Sequence, residues 1–247
     1  VFFSKYHHLG NDFILIDAIS QHVDLSAERA AFLCQRCLGV GADGIILLKR
    51  GVKHDFAMEI FNSDGSKPAF CGNGFFSLLK FIQDIGYKGD KHIVETPFSI
   101  VEGGYIGEKS YFILSGFKVL SERVSVDGRD FFHVNSGVPH AVCFVDDLRG
   151  VDVRGEGRKI RFHEKFAPEG VNVDFAFMDK CGVAVRTYER GVEDETFSCG
   201  SGAIAVALAS KISKIDVLFK HGKIGAEVFG GDVKLLGKAS FIFRGCL

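Results

Sequence analysis

The sequence has no tryptophan, four prolines, two methionines and no excess of charge of either sign. Thirty Lys and Arg against 31 Asp and Glu leave a net charge of −1. A nucleic-acid-binding domain carries a basic face, so a nucleic-acid partner is not expected. No run reaches the roughly 18–20 apolar residues that a membrane helix needs, and Val1 to His7 lack the basic and apolar regions of a secretion signal. No membrane partner is expected, and the expected location is cytoplasmic, with reduced thiols. Metal-ligand spacing is also missing. Cys34-x-x-Cys37 has no second ligand pair, so no zinc site is expected.

What is present is ordinary for a globular chain of 247 residues, 47% hydrophobic and 25% charged, with room for one large domain or two small ones. Thirty glycines predict many tight turns, and 25 phenylalanines must carry the aromatic packing. Short apolar runs bounded by turn residues predict strands at 13–16, 45–48, 112–114, 142–145 and 173–177. Helices are fewer. One is predicted from about Leu25 to Cys37, capped by Asp24 and stopped by Gly39. Others are predicted over Phe75 to Ile85 and, apolar nearly all round, over Ala203 to Ile212. Glu102 to Lys109 and Gly150 to Arg161 read as loops. The class is α+β, many strands with a few central helices. Gly39-Val40-Gly41-Ala42-Asp43-Gly44 fits the dinucleotide spacing G-x-G-x-x-G, but a helix precedes it and a strand follows. It reads as a turn.

An internal repeat organises the chain. Phe2-Phe3 opens a segment that ends in a strand at Asp17, and Phe131-Phe132 opens another that ends at Asp146, an offset of 129. Cys71-Gly72-Asn73-Gly74 and Cys199-Gly200-Ser201-Gly202 each precede an apolar helix, offset by 128. Two landmarks at nearly one offset suggest a duplicated lobe. A helix N-terminus offers unpaired N–H groups and partial positive charge. That should lower a thiol from its usual pKa of about 8.5 and let it act as a base. The glycines let a carboxylate approach the backbone. One such motif suits a nucleophile or a redox site; two unrelated turns around buried cysteines are the plainer alternative. Two reactive thiols, one per lobe, fit stereoinversion: one removes an α-proton and the other returns a proton from the opposite side. The helix N-termini would steady the carbanion beside its carboxylate.

At these residues the chain resembles the diaminopimelate epimerase family, over nearly its whole length. The resemblance rests on Lys5 to Phe13, Gly39 to Gly44, Phe61 to Ser66, Cys71 to Gly74, Pro139-His140, Asn172, Arg186 to Gly191 and Glu195 to Ala203. It implies a cofactor-independent isomerase of lysine and peptidoglycan-precursor synthesis. The implied fold has two pseudo-symmetric lobes, each a strand-rich layer around a central helix, with the active site in the cleft between them. The lobes would span 1–117 and 118–237, with strand 238–247 a candidate to return to the first. By the resemblance, Cys71 and Cys199 are the acid/base thiols, and His140 and Glu189 are polar supports that accept or hold their protons. Asn11, Asn62, Asn172 and Arg190 are substrate contacts. The backbones at Gly72, Asn73, Gly200 and Ser201 form the α-carboxylate cradle. The substrate partner is a small amino acid with an α-carboxylate, no cofactor or metal is expected, and a homodimer is a candidate assembly.

The chain departs from the family pattern at four places. Gly137-Val138-Pro139-His140 stands where Gly-Asn-Pro-His is usual, and Val192-Glu193-Asp194-Glu195 is one residue longer and more acidic. His8 replaces a usual Gly, and Phe75-Phe76 a usual Ala-Arg. The specificity end is therefore in question. The alternatives are a related racemase of the same fold acting on glutamate, proline or another small amino acid, and a non-catalytic amino-acid-binding protein. Both cysteines being present argues against the last.

Overall fold

Seventeen strands and four α-helices alternate along the chain in a computed structural model that describes residues 1–247. They form two compact units, Val1–Ile113 with Gly237–Leu247, and Leu114–Leu236.

In the first unit β1 (Phe2–His8) and β2 (Asn11–Asp17) make an antiparallel hairpin turned by Leu9 and Gly10, both at positive φ. β2 runs parallel to β3 (Gly44–Arg50), and β3 antiparallel to β4 (Phe56–Asn62). β4 runs parallel to β5 (Lys91–Glu95). β6 (Ile100–Ile106) and β7 (Lys109–Ser115) follow in antiparallel steps. Parallel neighbours need a crossover. α1 (Ala27–Cys34) lies in the first crossover and α2 (Gly72–Asp84) in the second. α2 is the central helix: Asn73 through Leu79, Phe81 and Ile82 are all buried, and the helix packs on β1 and β2. Phe70, Phe75, Phe76 and Phe112 stack around it with ring centroids 4.7–5.9 Å apart, filling the aromatic role that tryptophan leaves vacant.

The second unit has β8 (Lys118–Val126), β9 (Arg129–Asn135), β10 (Pro139–Phe144), α3 (Val153–Arg161), β11 (Asn172–Asp179) and β12 (Gly182–Glu189). β13 (Asp194–Thr196), α4 (Gly200–Ser210), β14 (Lys214–Phe219), β15 (Gly222–Phe229) and β16 (Asp232–Gly237) complete it. Its pairings repeat the first unit's order. β9 and β10 are antiparallel, β10 and β11 parallel, β11 and β12 antiparallel, and β12 and β14 parallel; two antiparallel steps to β15 and β16 follow. α4 occupies the place of α2 and is apolar nearly all round, with Gly202 through Ala207 and Ala209 buried. The last strand, β17 (Ser240–Cys246), returns to the first unit and pairs antiparallel with β1.

Three expectations need correction. α1 starts at Ala27 rather than Leu25, because the Ser26 hydroxyl accepts from Arg29 N–H at 3.2 Å and makes the cap. It ends at Cys34, since Gly41 and Ala42 N–H groups take the carbonyls of Leu33 and Cys34. The expected loop over residues 102–109 shrinks to the turn at 107–108, because 102–106 and 109 belong to β6 and β7, paired at Tyr105–Ser110 and Ile106–Lys109. Residues 153–161 form α3, capped by Asp152. Its glycines disguise an apolar face of Val153, Gly157 and Ile160 at helical spacing.

Gly157 is needed there. A Cβ on it would lie 2.5 Å from Tyr188 Cβ, and Tyr188 is itself buried. Gly157→Ala should therefore destabilise the protein by about 1–3 kcal/mol through overpacking. Gly150→Ala, with open space around it, should stay near wild type. Urea unfolding of both variants checks this, and equal midpoints would contradict the packing argument.

Candidate active site

Cys71 and Cys199 are the N-cap residues of α2 and α4. Their backbones match closely, with φ −140° and ψ 114° at Cys71 and φ −131° and ψ 116° at Cys199. Each sulfur accepts the N–H three residues on, Gly74 at 3.4 Å and Gly202 at 3.3 Å. A thiol thus fills the place usually held by a serine or aspartate oxygen. The N–H groups of Gly72 and Asn73, and of Gly200 and Ser201, fall in the first turns, where helix amides lack intrahelical acceptors.

In the first unit Asn11 Nδ2 donates to Asp43 Oδ2 at 2.8 Å. This turns Asn11 Oδ1 toward Asn73 Nδ2 at 3.3 Å and the Cys71 thiol at 3.8 Å. Asn73 Oδ1 meets Nδ1 of the buried His8 at 2.8 Å. Burial lowers His8 to about 4, so it is neutral at physiological pH. Asp43 is held in turn by Arg36 and by an exchange with Asp12: Asp12 N–H donates to Asp43 Oδ2, and Asp43 N–H to Asp12 Oδ1. Asp12 bonds Arg36 and the buried Lys5, the latter at 2.8 Å. Burial alone would raise Asp12, but hydrogen bonds from Arg36 and Lys5 outweigh it and hold its carboxyl at about 2. Asn62, at the exposed end of β4, pairs in register with Gly44, next to Asp43, and its Nδ2 donates to Ser66 Oγ at 2.9 Å.

In the second unit the structure brings together Cys199, Ser201, His140, Asn172 and Arg190. Cys199 Sγ is 3.2 Å from Ser201 Oγ, and Ser201 Oγ is 2.9 Å from His140 Nε2. His140 Nδ1 is 2.6 Å from Asp174 Oδ2, and both residues are fully buried. Asn172 Oδ1 accepts the Arg190 backbone N–H at 2.7 Å. The Arg190 side chain stays partly exposed, its guanidinium 3.9 Å from Glu169. Glu189, the last residue of β12, is half-buried, and desolvation raises its carboxyl above the usual range.

Cys199 differs from the expectation of an acidified thiol. Burial pushes it well above its ordinary value, and the negative charges of Glu189 and Asp174 push the same way. Hydrogen bonding with Ser201 and from the Gly202 N–H opposes this without reversing it. Cys199 therefore rests as a protonated thiol. The helix terminus was legible in sequence; the surrounding burial and carboxylates were not.

The sequence reading also missed Asp174, Thr187, Asp43 and His8 as supports. Asp174 had one visible signal, a charged residue within the apolar run Val173 to Phe177. Glu193, Asp194 and Glu195, the acidic residues of the longer segment, pair with Arg161, Arg154 and Arg186. Their charges are therefore committed to holding β12, β13 and α3. No group of three or more His, Cys, Asp and Glu side chains is placed to hold a metal ion, and no helix is long and apolar enough to cross a membrane.

The family described as diaminopimelate epimerase matches residues 3–102 and 132–241. A diaminopimelate epimerase of Archaeoglobus fulgidus is 39% identical, over 99% of this chain and 95% of its own length. One of Aquifex aeolicus is 37% identical, over 99% and 97%. Among solved structures, a PhzF-family phenazine biosynthesis protein of Bacillus anthracis aligns with TM-score 0.75 at 13% identity, over 99% of this chain and 98% of its own. A probable proline racemase of Agrobacterium radiobacter aligns with TM-score 0.72 at 15% identity, over 100% and 92%. These last two are similar in fold.

Proposed function

This chain belongs to the diaminopimelate epimerase family, and from that premise we propose that it interconverts LL- and meso-diaminopimelate by proton transfer between two thiols, without a cofactor. It is an amino-acid epimerase. The observation that carries the mechanism is the pair of cysteines capping α2 and α4 in one geometry, each beside a polar acceptor.

One thiolate takes the α-proton and the other thiol delivers a proton to the opposite side of the same carbon. Negative charge then develops next to the α-carboxylate. The N–H groups of Gly72, Asn73, Gly200 and Ser201 supply fixed donors for it, which cost no reorganisation during the step. Asn11, its orientation fixed by Asp43, presents an acceptor to Cys71 and Asn73. His140 and Glu189 exchange or hold thiol protons. Asn172 ties down the backbone of Arg190, leaving the guanidinium to grip the far carboxylate bidentately; Asn62 is a further substrate contact. Both thiols must be reduced, which suits a cytoplasmic location.

Specificity is expected to be relaxed at Val138. This half-buried residue follows Gly137 (φ 94°) in the turn before β10 and offers no side-chain donor. A lost charge-assisted hydrogen bond to a carboxylate is worth about 1.5–3 kcal/mol. Val138→Asn should raise the ratio of kcat/KM for diaminopimelate over glutamate at least several-fold. An unchanged or lower ratio in a folded, active variant would mean that Val138 does not set specificity. The function itself is tested by α-proton exchange across a panel of diaminopimelate, glutamate and proline. Diaminopimelate should exchange fastest, and exchange confined to another amino acid would favour a related racemase.

A further inference from the structure

The hydrogen bonds around His140 fix the direction of the protons between Asp174 and Cys199. The Arg190 backbone N–H can only donate, and it bonds Asn172 Oδ1 at 2.7 Å. Asn172 Nδ2 is therefore the donor end of that amide, and it lies 3.2 Å from His140 Nε2. Nε2 must present a lone pair, so the neutral imidazole carries its hydrogen on Nδ1, facing Asp174 Oδ2 at 2.6 Å. The other oxygen of Asp174 accepts the Thr187 hydroxyl at 2.7 Å. Ser201 Oγ, 2.9 Å from Nε2, must donate to it. Its lone pairs are then turned to the Cys199 S–H at 3.2 Å. Gly202 keeps the arrangement possible, because a Cβ there would stand 2.7 Å from Asp174 Oδ1.

We propose that the Ser201 hydroxyl carries the proton between Cys199 and His140, and that Asp174 is the positioning residue that holds the imidazole in the tautomer able to receive it. The proposal rests on Cys199 being an acid/base thiol, and it gives the Ser201 side chain a role beyond its backbone's place in the cradle. The S–H bond of Cys199 breaks as its proton passes to Ser201 Oγ. The original Ser201 proton passes to Nε2. The products are a thiolate, an intact serine hydroxyl and an imidazolium beside the Asp174 carboxylate. No electrons are exchanged with another species, and no co-reactant is needed. Cys199, a resting thiol surrounded by burial and carboxylates, gains in this way a route to its basic form.

The test uses the whole protein and three variants, Ser201→Ala, Ser201→Thr and Asp174→Asn. Two readouts are taken: kcat and KM for diaminopimelate, and the rate at which iodoacetamide alkylates Cys199 at neutral pH, followed by peptide mass spectrometry. Ser201→Ala and Asp174→Asn should lower kcat at least about tenfold, with KM within a few-fold of wild type, and should slow alkylation by a similar factor. Ser201→Thr, which restores the hydroxyl, should recover most of both losses. A purely structural role would move melting temperature without following the hydroxyl. Wild-type kcat and alkylation in Ser201→Ala, or a threonine variant no better than alanine, would overturn the relay. If Asp174→Asn fails to fold, the Ser201 pair decides. Failure of the underlying reading looks different: the wild type would leave diaminopimelate unchanged, while alkylation would still report on the relay.

Discussion

Replacing either Cys71 or Cys199 with alanine is expected to lower epimerisation by roughly 10²–10⁴-fold, the usual contribution of a positioned acid or base. Inversion needs both groups, so neither single variant should be rescued by the other thiol. The structural cost is smaller and separable. Each cysteine caps a helix, and losing a cap costs about 0.5–2 kcal/mol, so the variants should remain folded with the packed faces of α2 and α4 intact. Serine at either position preserves the cap but not the chemistry, because a hydroxyl is a far weaker acid than a thiol. Steady-state kinetics together with urea unfolding checks this. A serine variant with wild-type stability and more than a few per cent of wild-type rate would contradict the two-thiol mechanism.

Removing Asp12 should have the largest effect on stability. Its carboxylate faces Lys5, whose ammonium also bonds the Gly41 carbonyl and is only 6% exposed. Asp12→Ala would leave that ammonium buried without its counter-charge, a loss of about 3–5 kcal/mol. The same change removes one contact to Asp43, whose carboxylate keeps Arg36, the residue-12 backbone N–H and Asn11, so activity should fall less than stability. The pH dependence has a definite sign. The folded-state pKa of Asp12 is depressed from 3.8 to about 2. Its contribution is therefore present above the ordinary carboxylate value and is lost as pH falls from there toward 2. Urea unfolding across that range should show the wild type losing its advantage over Asp12→Ala as the solution is acidified. An advantage that is constant with pH would refute this account of the pair.

The sequence disclosed most about features that recur locally. The apolar faces of α2 and α4 and the two Cys-Gly-x-Gly starts were legible because helix period and N-terminal chemistry act over a few residues. The doubled motif at an offset of 128 points to a pair of thiols from sequence alone. α3 was hidden because Gly155 and Gly157 lower helix propensity, while what holds it is long-range packing on β11 and β12. The supports of the site were hidden for the same reason. Asp174 reaches His140 across 34 residues, Asp43 reaches Asn11 across 32, and His8 reaches Asn73 across 65. No local pattern encodes such contacts. The state of Cys199 is not legible in the sequence because its environment combines burial with two carboxylates from other strands, and these overcome the helix terminus.

The central claim, that one carbon is served by two thiols, is tested most directly by turning LL-diaminopimelate over in deuterated water and following the α-position by NMR and mass spectrometry. The wild type should form the meso isomer with solvent deuterium at the inverted carbon, and Cys71→Ala and Cys199→Ala should each slow that inversion by roughly 10²–10⁴-fold. Inversion that retains the original α-hydrogen, or that keeps more than a few per cent of the wild-type rate in either alanine variant, would contradict the account.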